Sequence, residues 1–364
     1  MAIFTDVICD VTKEGRKLPT SEYKDKGLYP IIDQGQNHIA GYTDETEGLF
    51  SNVPAIIFGD HTRIIKYVDT PFFIGADGVK ILKAKDKKAN HKFLYYALSS
   101  AKIPNTGYNR HFKWLKEIDI PEYSAKEQND IVVQLEKIDD LISVRKQQLY
   151  NLDKLVKSRF VELFGETGKQ VPLTDYVWFQ EGPGVRSVDF TEEGTILLTG
   201  SNINDNTISF GYKSDRHISN ELASGKYAHF MCDKDDILVV SSAIDPDKFD
   251  KKVVVVDVDK EYCLNTGIIR FKPNKQYLTL GYFREFLKTD YFKHQVSSEM
   301  RGIAQMHFGP SHLKQMTILL PDSIERQVEF EAFVQQTDKS KLAIQKSLEK
   351  LETLKKALMQ KYFG

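Results

Sequence analysis

Residues 121–165 read PEYSAKEQNDIVVQLEKIDDLISVRKQQLYNLDKLVKSRFVELFG, and residues 321–364 read PDSIERQVEFEAFVQQTDKSKLAIQKSLEKLETLKKALMQKYFG. Both run from a proline through a polar turn to a charged residue and Gln, then through a long stretch free of Pro and Gly, and end in Phe-Gly. The offset that pairs Gly165 with Gly364 also pairs Gln128 with Gln327, Asp139 with Asp338, Leu149 with Leu348, Leu152 with Leu351 and Phe164 with Phe363. Each stretch predicts a helix of about forty residues, or about 60 Å at 1.5 Å per residue. In the first, Leu135, Ile138, Ile142, Leu149, Leu152 and Val156 recur at spacings of three and four, with Arg145 standing between Ile142 and Leu149. In the second, Val334, Ile344, Leu348 and Leu351 hold the same seam, interrupted by Thr337, Lys341 and Lys355. Such imperfect heptads need a partner helix. Two equal helices with matching seams are most simply each other's partner, and chain direction makes them antiparallel. The alternative is two independent helices, each packed on its own domain.

The repeat extends upstream. Gly107-Tyr-Asn-Arg-His-Phe112 resembles Gly302-Ile-Ala-Gln-Met-His-Phe308, and each is followed by Leu-Lys and a short apolar strand into the proline. A unit this long is a duplicated domain plus stalk rather than a solenoid repeat. Strand-like runs in the first half are Tyr29-Pro-Ile-Ile, Ala55-Ile-Ile-Phe, Arg63-Ile-Ile-Lys-Tyr-Val and Val79-Lys-Ile-Leu, punctuated by turns at Asp33-Gln-Gly-Gln-Asn37 and Gly75-Ala-Asp-Gly78. The second half repeats the plan with Thr195-Ile-Leu-Leu, Asp236-Ile-Leu-Val-Val, Lys252-Val-Val-Val-Val and Gly267-Ile-Ile-Arg-Phe. A helix follows in each, from His91 to about Ser100 and from about Leu280 to Phe292. The expected class is α+β: two mixed, β-rich domains separated by two long antiparallel helices, with a pseudo-two-fold internal repeat. The boundaries fall at 1–118, 119–166, 167–318 and 319–364.

The 364 residues carry 50 basic and 51 acidic side chains, a net charge of −1. A chain that grips DNA alone and without regard to sequence is usually strongly basic, because each phosphate contact wants a cation. Balance leaves room for local basic faces or for a partner that supplies the grip. The three cysteines, Cys9, Cys232 and Cys263, are far apart, and no two of the nine histidines stand four apart, so no metal site is expected. With no apolar run of about twenty residues and no basic-then-apolar start, the expectation is a cytoplasmic chain without a membrane span.

Here a resemblance enters. Gly27-Leu-Tyr-Pro-Ile-Ile-Asp-Gln-Gly-Gln with Ile39-Ala-Gly-Tyr-Thr-Asp44, and Phe72-Phe-Ile-Gly-Ala-Asp-Gly-Val-Lys80, look like the target recognition domains of Type I restriction-modification specificity subunits. Gly182-Pro-Gly-Val-Arg186, Leu197-Leu-Thr-Gly-Ser-Asn-Ile203 and Asp236-Ile-Leu-Val-Val-Ser-Ser242 are similar, as are the proline-to-Gln openings of both helices. The resemblance covers essentially the whole chain. It implies one double-stranded DNA half-site per domain, and two methyltransferase (modification) subunits bound along the helices. Restriction (motor-nuclease) subunits complete the implied complex, with no catalysis and no cofactor in this chain. The two globular sequences differ, which implies an asymmetric bipartite target set at a fixed separation by the helices.

The chain holds no Asn/Asp-Pro-Pro-aromatic motif of an adenine methyltransferase and no phosphate-cradling G-x-x-x-x-G-K-[ST]. Gly182-Pro-Gly184 reads as a turn. A nuclease site using Pro246-Asp247 and Asp257 competes with an exposed charged hairpin there; cleavage by the purified chain with magnesium separates the two. A coiled-coil adaptor without DNA contact is disfavoured by the polar, turn-rich loops. Bases are read by polar and cationic groups that loops project from a rigid sheet. The candidates are Gln34, Gln36, Asn37, His38, Asn109 and Arg110 in the first domain, and Arg186, Ser201, Asn202, Ser241, Ser242, Arg301 and Gln305 in the second.

Overall fold

The computed structural model describes residues 1–75, 78–107, 109–165, 168–211, 213–297 and 307–364, and only the main chain of Pro246, Asp247 and Ser297. The first half contains β1 (Ala2–Ile3), α1 (Phe4–Val7), β2 (Ile8–Asp10), β3 (Tyr29–Ile32), β4 (Gly41–Thr43), β5 (Ala55–Gly59), β6 (Ile65–Val68), β7 (Phe73–Ile74), β8 (Val79–Ala84), α2 (His91–Ser99), α3 (Phe112–Leu115), β9 (Asp119–Ile120) and α4 (Ala125–Leu163). The second contains β10 (Lys169–Pro172), α5 (Leu173–Tyr176), β11 (Val177–Glu181), β12 (Phe190–Thr191), β13 (Thr195–Leu198), β14 (Ile203–Asn204), β15 (Thr207–Ile208), β16 (Arg216–Ile218), α6 (Asn220–Ser224), β17 (Ile237–Val240), β18 (Val253–Val255), β19 (Tyr262–Leu264), β20 (Ile268–Pro273), α7 (Leu280–Phe286), α8 (Asp290–Ser297), α9 (Pro310–Leu313), β21 (Thr317–Leu320) and α10 (Ile324–Phe363). Two compact units result: Met1–Gln147 with Ile344–Gly364, and Gln148–Ala343.

Each unit holds a large and a small sheet. In the first, the large sheet runs β2-β8-β5-β6, all antiparallel, and the small one β4-β3-β7, with β3 parallel to β7. In the second, the large sheet runs β11-β20-β17-β18, all antiparallel, and the small one β12-β16-β13-β19, with β13 parallel to β19. The order of the large sheet is the same twice, and the small sheet of the second unit adds one edge strand, β12, to the three-strand pattern of the first. The central strands, Ala55-Ile-Ile-Phe-Gly59 and Ile237-Leu-Val-Val240, are buried on both faces, which is why they read as unbroken apolar runs. A glycine in the left-handed region precedes or begins the next strand inward, Gly78 at φ 89° and Gly267 at φ 79°. Its carbonyl accepts from the residue that follows the central strand, Asp60 N at 2.6 Å and Ser241 N at 2.8 Å.

The long helices pair antiparallel within each unit. In the first, Lys355 meets Asp139, Lys146 meets Glu352 at 3.7 Å, and Tyr362 donates to Gln134 at 3.0 Å. In the second, Lys341 meets Asp153 at 2.6 Å and Arg159 meets Glu329 at 2.6 Å, while Phe160 packs on Phe330. Lys341 and Lys355, which interrupt the heptad pattern, are therefore cross-helix ion-pair donors; the mismatch in apolar period is a match in charge. Leu135, Ile138, Val156 and Val334 are buried, whereas Ile142, Leu149, Leu152, Ile344, Leu348 and Leu351 are half-buried. The Phe-Gly endings are plugs: Phe363 packs on Phe93 of α2 and Phe164 on Tyr282 of α7, with ring centroids 5.3 and 4.8 Å apart. Burial of one such ring is worth about 1.5–3 kcal/mol. The repeat-related Asp139 and Asp338 both tie a long helix to a domain helix, through Tyr96 at 2.9 Å and Arg284 at 2.9 Å.

Three local expectations are corrected. The helix expected from Leu280 to Phe292 is two, α7 and α8, because the Thr289 hydroxyl donates to the Phe286 carbonyl and accepts from Phe292 N, ending one helix and starting the next. The strand expected from Arg63 starts at Ile65, since Arg63 sits at φ 63° in a turn. The charged segment at Pro246 is a 3₁₀ helix, Pro246–Lys251, rather than a hairpin, with Phe249 buried beneath it.

Candidate nucleic-acid interface

In the first unit the loop 33–40 leaves β3, the central strand of the small sheet. Its main chain is drawn to the large sheet by Lys66 of β6, whose ammonium donates to the carbonyls of Asp33 at 2.8 Å and Asn37 at 2.6 Å. Gln34 is turned inward. Its Oε1 accepts from His61 N at 3.2 Å, and its carbonyl accepts from the Thr62 hydroxyl at 2.7 Å. Gln34 is thus a loop brace, whereas Gln36, Asn37 and His38 are exposed. Gln36 and His38 border a groove that includes Lys92 of α2 and Glu136, Asp139 and Asp140 of α4. Desolvation, then the Lys66 charge, lowers the His38 pKa below its ordinary value. Asn109 and Arg110 are exposed near the same end of β5; the Asn109 carbonyl meets His61 Nδ1 at 3.2 Å, and its amide donates to Thr106.

Two residues that sequence reasoning passed over hold this arrangement. Asp60 follows β5, is buried, and accepts from Phe112 N on its carboxylate at 2.7 Å and from His111 N on its carbonyl at 2.8 Å. His111, wholly buried, also places Nδ1 at 2.9 Å from that carbonyl. Together they tether the segment carrying Asn109 and Arg110 to the central strand. The pattern His-Phe seen in both repeats was the available signal.

In the second unit the stretch 199–215 leaves β13 and contains the β14–β15 hairpin. Lys252 reaches into it and donates to the carbonyls of Gly200 at 3.2 Å and Ile203 at 2.8 Å and to Asn204 Oδ1 at 2.7 Å. Ser201 is exposed and shares hydrogen bonds with the Thr199 and Ser214 hydroxyls. Asn202 is fully buried with its amide saturated: Oδ1 accepts from Thr199 N and Oγ1, and Nδ2 donates to the Ser209 carbonyl and to Asp215. The expectation that Asn202 reads DNA is therefore corrected, because every hydrogen bond its amide can make is already spent inside the domain.

Ser241 is also buried at the end of β17, its carbonyl accepting from Phe308 N at 2.9 Å and its hydroxyl out of reach of solvent, which corrects the expectation of an exposed reading group there. Ser242 is half-buried and its hydroxyl meets His307 Nδ1 at 2.9 Å. Arg186 is exposed and follows a turn laid across the start of β20: Gly182 N donates to the Ile268 carbonyl, and Thr266 N donates to the Pro183 carbonyl. The structure thus gathers 182–186, 241–242, 265–267 and 307–308 at one end of the large sheet. Arg301 and Gln305 lie outside the described residues, as does the side chain of Asp247; Asp257 is exposed after β18. Among the described residues no three His, Cys, Asp or Glu side chains stand together as a metal site, and no helix is long and apolar enough to cross a membrane.

Comparison with known proteins agrees with the architecture. Residues 6–153 and 169–356 each match the family described as "Type I restriction modification DNA specificity domain". The chain is 30% identical over 201 residues to the Type I restriction enzyme EcoR124I/EcoR124II specificity subunit of Escherichia coli, over 48% of this chain and 48% of that protein. The match thus spans about half the length of that curated relative. Among solved structures, the S subunit of a Type I restriction-modification system from M. genitalium is similar over 100% of this chain and 95% of that one, with TM-score 0.59 and 18% identity, a likeness of fold.

Proposed function

Because this chain belongs to the Type I restriction-modification DNA specificity family, we propose that it is the sequence-reading subunit of such a complex and performs no catalysis itself. Each half reads one half-site of an asymmetric, bipartite double-stranded target, with recognition parts at 1–118 and 167–318 and helical parts at 119–166 and 319–364. The helical parts carry the modification subunits, and restriction subunits join that assembly in the cytoplasm. The observation that supports this best is the same two-sheet scaffold occurring twice with dissimilar loops in the same place. A shared scaffold with different polar groups is what reading two different base sequences requires.

The proposed contacts in the first unit are Gln36, Asn37, His38, Asn109 and Arg110. In the second they are Arg186, Ser201 and Ser242, joined by Arg301 and Gln305 from the sequence pattern. Net charge −1 supports weak DNA binding by the chain alone, with the partners supplying phosphate contacts. The test is to incubate the purified chain with duplex DNA and magnesium, then repeat with modification subunits and a methyl donor. The expected result is no cleavage and weak retention in the first case, and methylation at a two-part site in the second. Metal-dependent cutting, or tight sequence-independent binding by the chain alone, would sink the proposal.

A further inference from the structure

We infer that Lys66 and Lys252 are positioning residues for the two DNA-reading loops. Each carries its ammonium from the large sheet of its unit into the loop that leaves the central strand of the small sheet, and fixes that loop's main chain for base recognition. The inference rests on the functional reading above and deepens it.

Three observations carry it. First, both lysines lie beside the central strand, on the neighbouring segment of the large sheet. Lys66 stands opposite Ile57 within β6; Lys252, just before β18, sits two residues further along the register, and its carbonyl accepts from Val240 N at the end of the central strand. Second, the acceptors correspond. Lys66 takes two loop carbonyls and approaches Asp33 Oδ1 at 3.5 Å; Lys252 takes two loop carbonyls and one Asn204 amide oxygen. Third, the cation is costly where it stands. The Lys66 side chain is 4% exposed, and desolvation lowers the pKa of both lysines. A buried ammonium is tolerated only when its three protons find acceptors. Lysine suits the task because a compact donor with three rotatable protons can bond carbonyls on both sides of one bend.

The surrounding sequences have nothing else in common. Lys66 lies in Ile65-Lys-Tyr67 and holds Asp33-Gln-Gly-Gln-Asn37; Lys252 lies in Lys251-Lys-Val253 and holds Gly200-Ser-Asn-Ile-Asn204. The same bridge between the same two sheets, kept while the held loop changes, separates a fixed support from a variable reading edge. The carbonyls are fixed by lysine, and the exposed side chains Gln36, Asn37 and Ser201 ride on the main chain so fixed.

The experiment uses the full-length chain with Lys66→Met or Lys252→Met, which keep side-chain length and remove the ammonium. Two readouts are taken. Amide hydrogen exchange on the DNA-free chain reports the loops themselves. Selection from a random-sequence duplex library, with modification subunits bound, reports base preference in each half-site. Lys66→Met should raise exchange in 33–40 at least tenfold and broaden preference in one half-site only; Lys252→Met should do the same for 199–208 and the other half-site. Should either Met variant fail to fold, Lys66→Gln and Lys252→Gln retain a donor and should show the same pattern in weaker form.

Unchanged loop exchange would overturn the inference whatever happens to DNA. Loosened loops with both half-site preferences intact would overturn it too, because a purely structural lysine would behave so. If the wild-type assembly selects no sequence at all, the functional reading fails instead, and the exchange arm still shows whether the lysines hold the loops.

Discussion

The two lysine-held loops solve one problem in two ways. In the first unit, 33–40 is a short turn between β3 and β4, held by Lys66 and by the Gln34 side chain bonded to His61. In the second, 199–215 between β13 and β16 adds the β14–β15 hairpin, whose turn residues Asp205 and Asn206 are both at positive φ. Its longer main chain leaves more polar groups to satisfy, and Asn202 does that from inside with four hydrogen bonds. A short loop can be ordered from the sheets around it. A long one needs an internal post, because ordering entropy rises with every added residue. The difference shows that the recognition edge is free to lengthen as long as its interior is satisfied.

That contrast can be broken first at its post. Asn202→Ala should cost about 2–3 kcal/mol, since Asp215, the Ser209 carbonyl and Thr199 N each lose a hydrogen bond to this buried amide together. Gln34→Ala should cost about 1 kcal/mol, because the His61 N–H loses its acceptor. The chain has two tryptophans, Trp114 in the first unit and Trp178 in the second. Denaturant unfolding followed through single-Trp variants should therefore assign the larger loss to Trp178. Equal losses would mean that the longer loop does not depend on its internal amide.

The exposed groups sharpen the comparison from the other side. Gln36→Ala and Ser201→Ala should each leave stability within about 0.5 kcal/mol. Each should weaken base preference in one half-site, by about 1–2 kcal/mol for a direct base contact. A stability loss comparable to that of Asn202→Ala would place these side chains among the supports instead.

The smallest effect at neutral pH lies in the charges. In the second unit burial would raise the Glu285 carboxyl, but the Lys288 and Arg284 charges and hydrogen bonds outweigh it and hold it at about 2. Hydrogen bonds from Lys260 and Lys272, against burial, hold Asp233 at about 2. A carboxyl whose folded pKa is depressed stabilises the fold above its unfolded pKa and loses that contribution as pH falls toward the folded value. The Trp178 transition should thus weaken between about pH 4.5 and 2 more steeply than the Trp114 transition. Glu285→Gln should flatten the slope, and parallel slopes in the two units would count against this account.

How much of this was legible in advance varies by residue. The Phe-Gly endings, the Asp139–Asp338 pair and the seams of α4 and α10 stood out because a helix writes its partner into a local period of three and four. The central strands stood out because burial on both faces leaves an unbroken apolar run. The repeated His-Phe marked His111 but not its role, and Lys66, Lys252 and Asp60 did not stand out at all, because each acts across 29 or more residues of chain, largely on main-chain atoms that leave no mark on the partner's identity. Asn202 looked like a reading group because Asn suits both base edges and buried loop networks, and only burial tells the two apart.

The sequence by itself therefore determined the duplication, the two long helices and the sheet cores, since these follow from the periodicity of apolar side chains along contiguous chain. Tertiary structure decided which polar residues face inward and which outward, where α7 stops and α8 starts, and that one lysine in each unit spans its two sheets. The physical reason is that a buried polar group is specified by its hydrogen-bond acceptors, and here those acceptors are backbone carbonyls brought near by the fold rather than by the order of the chain.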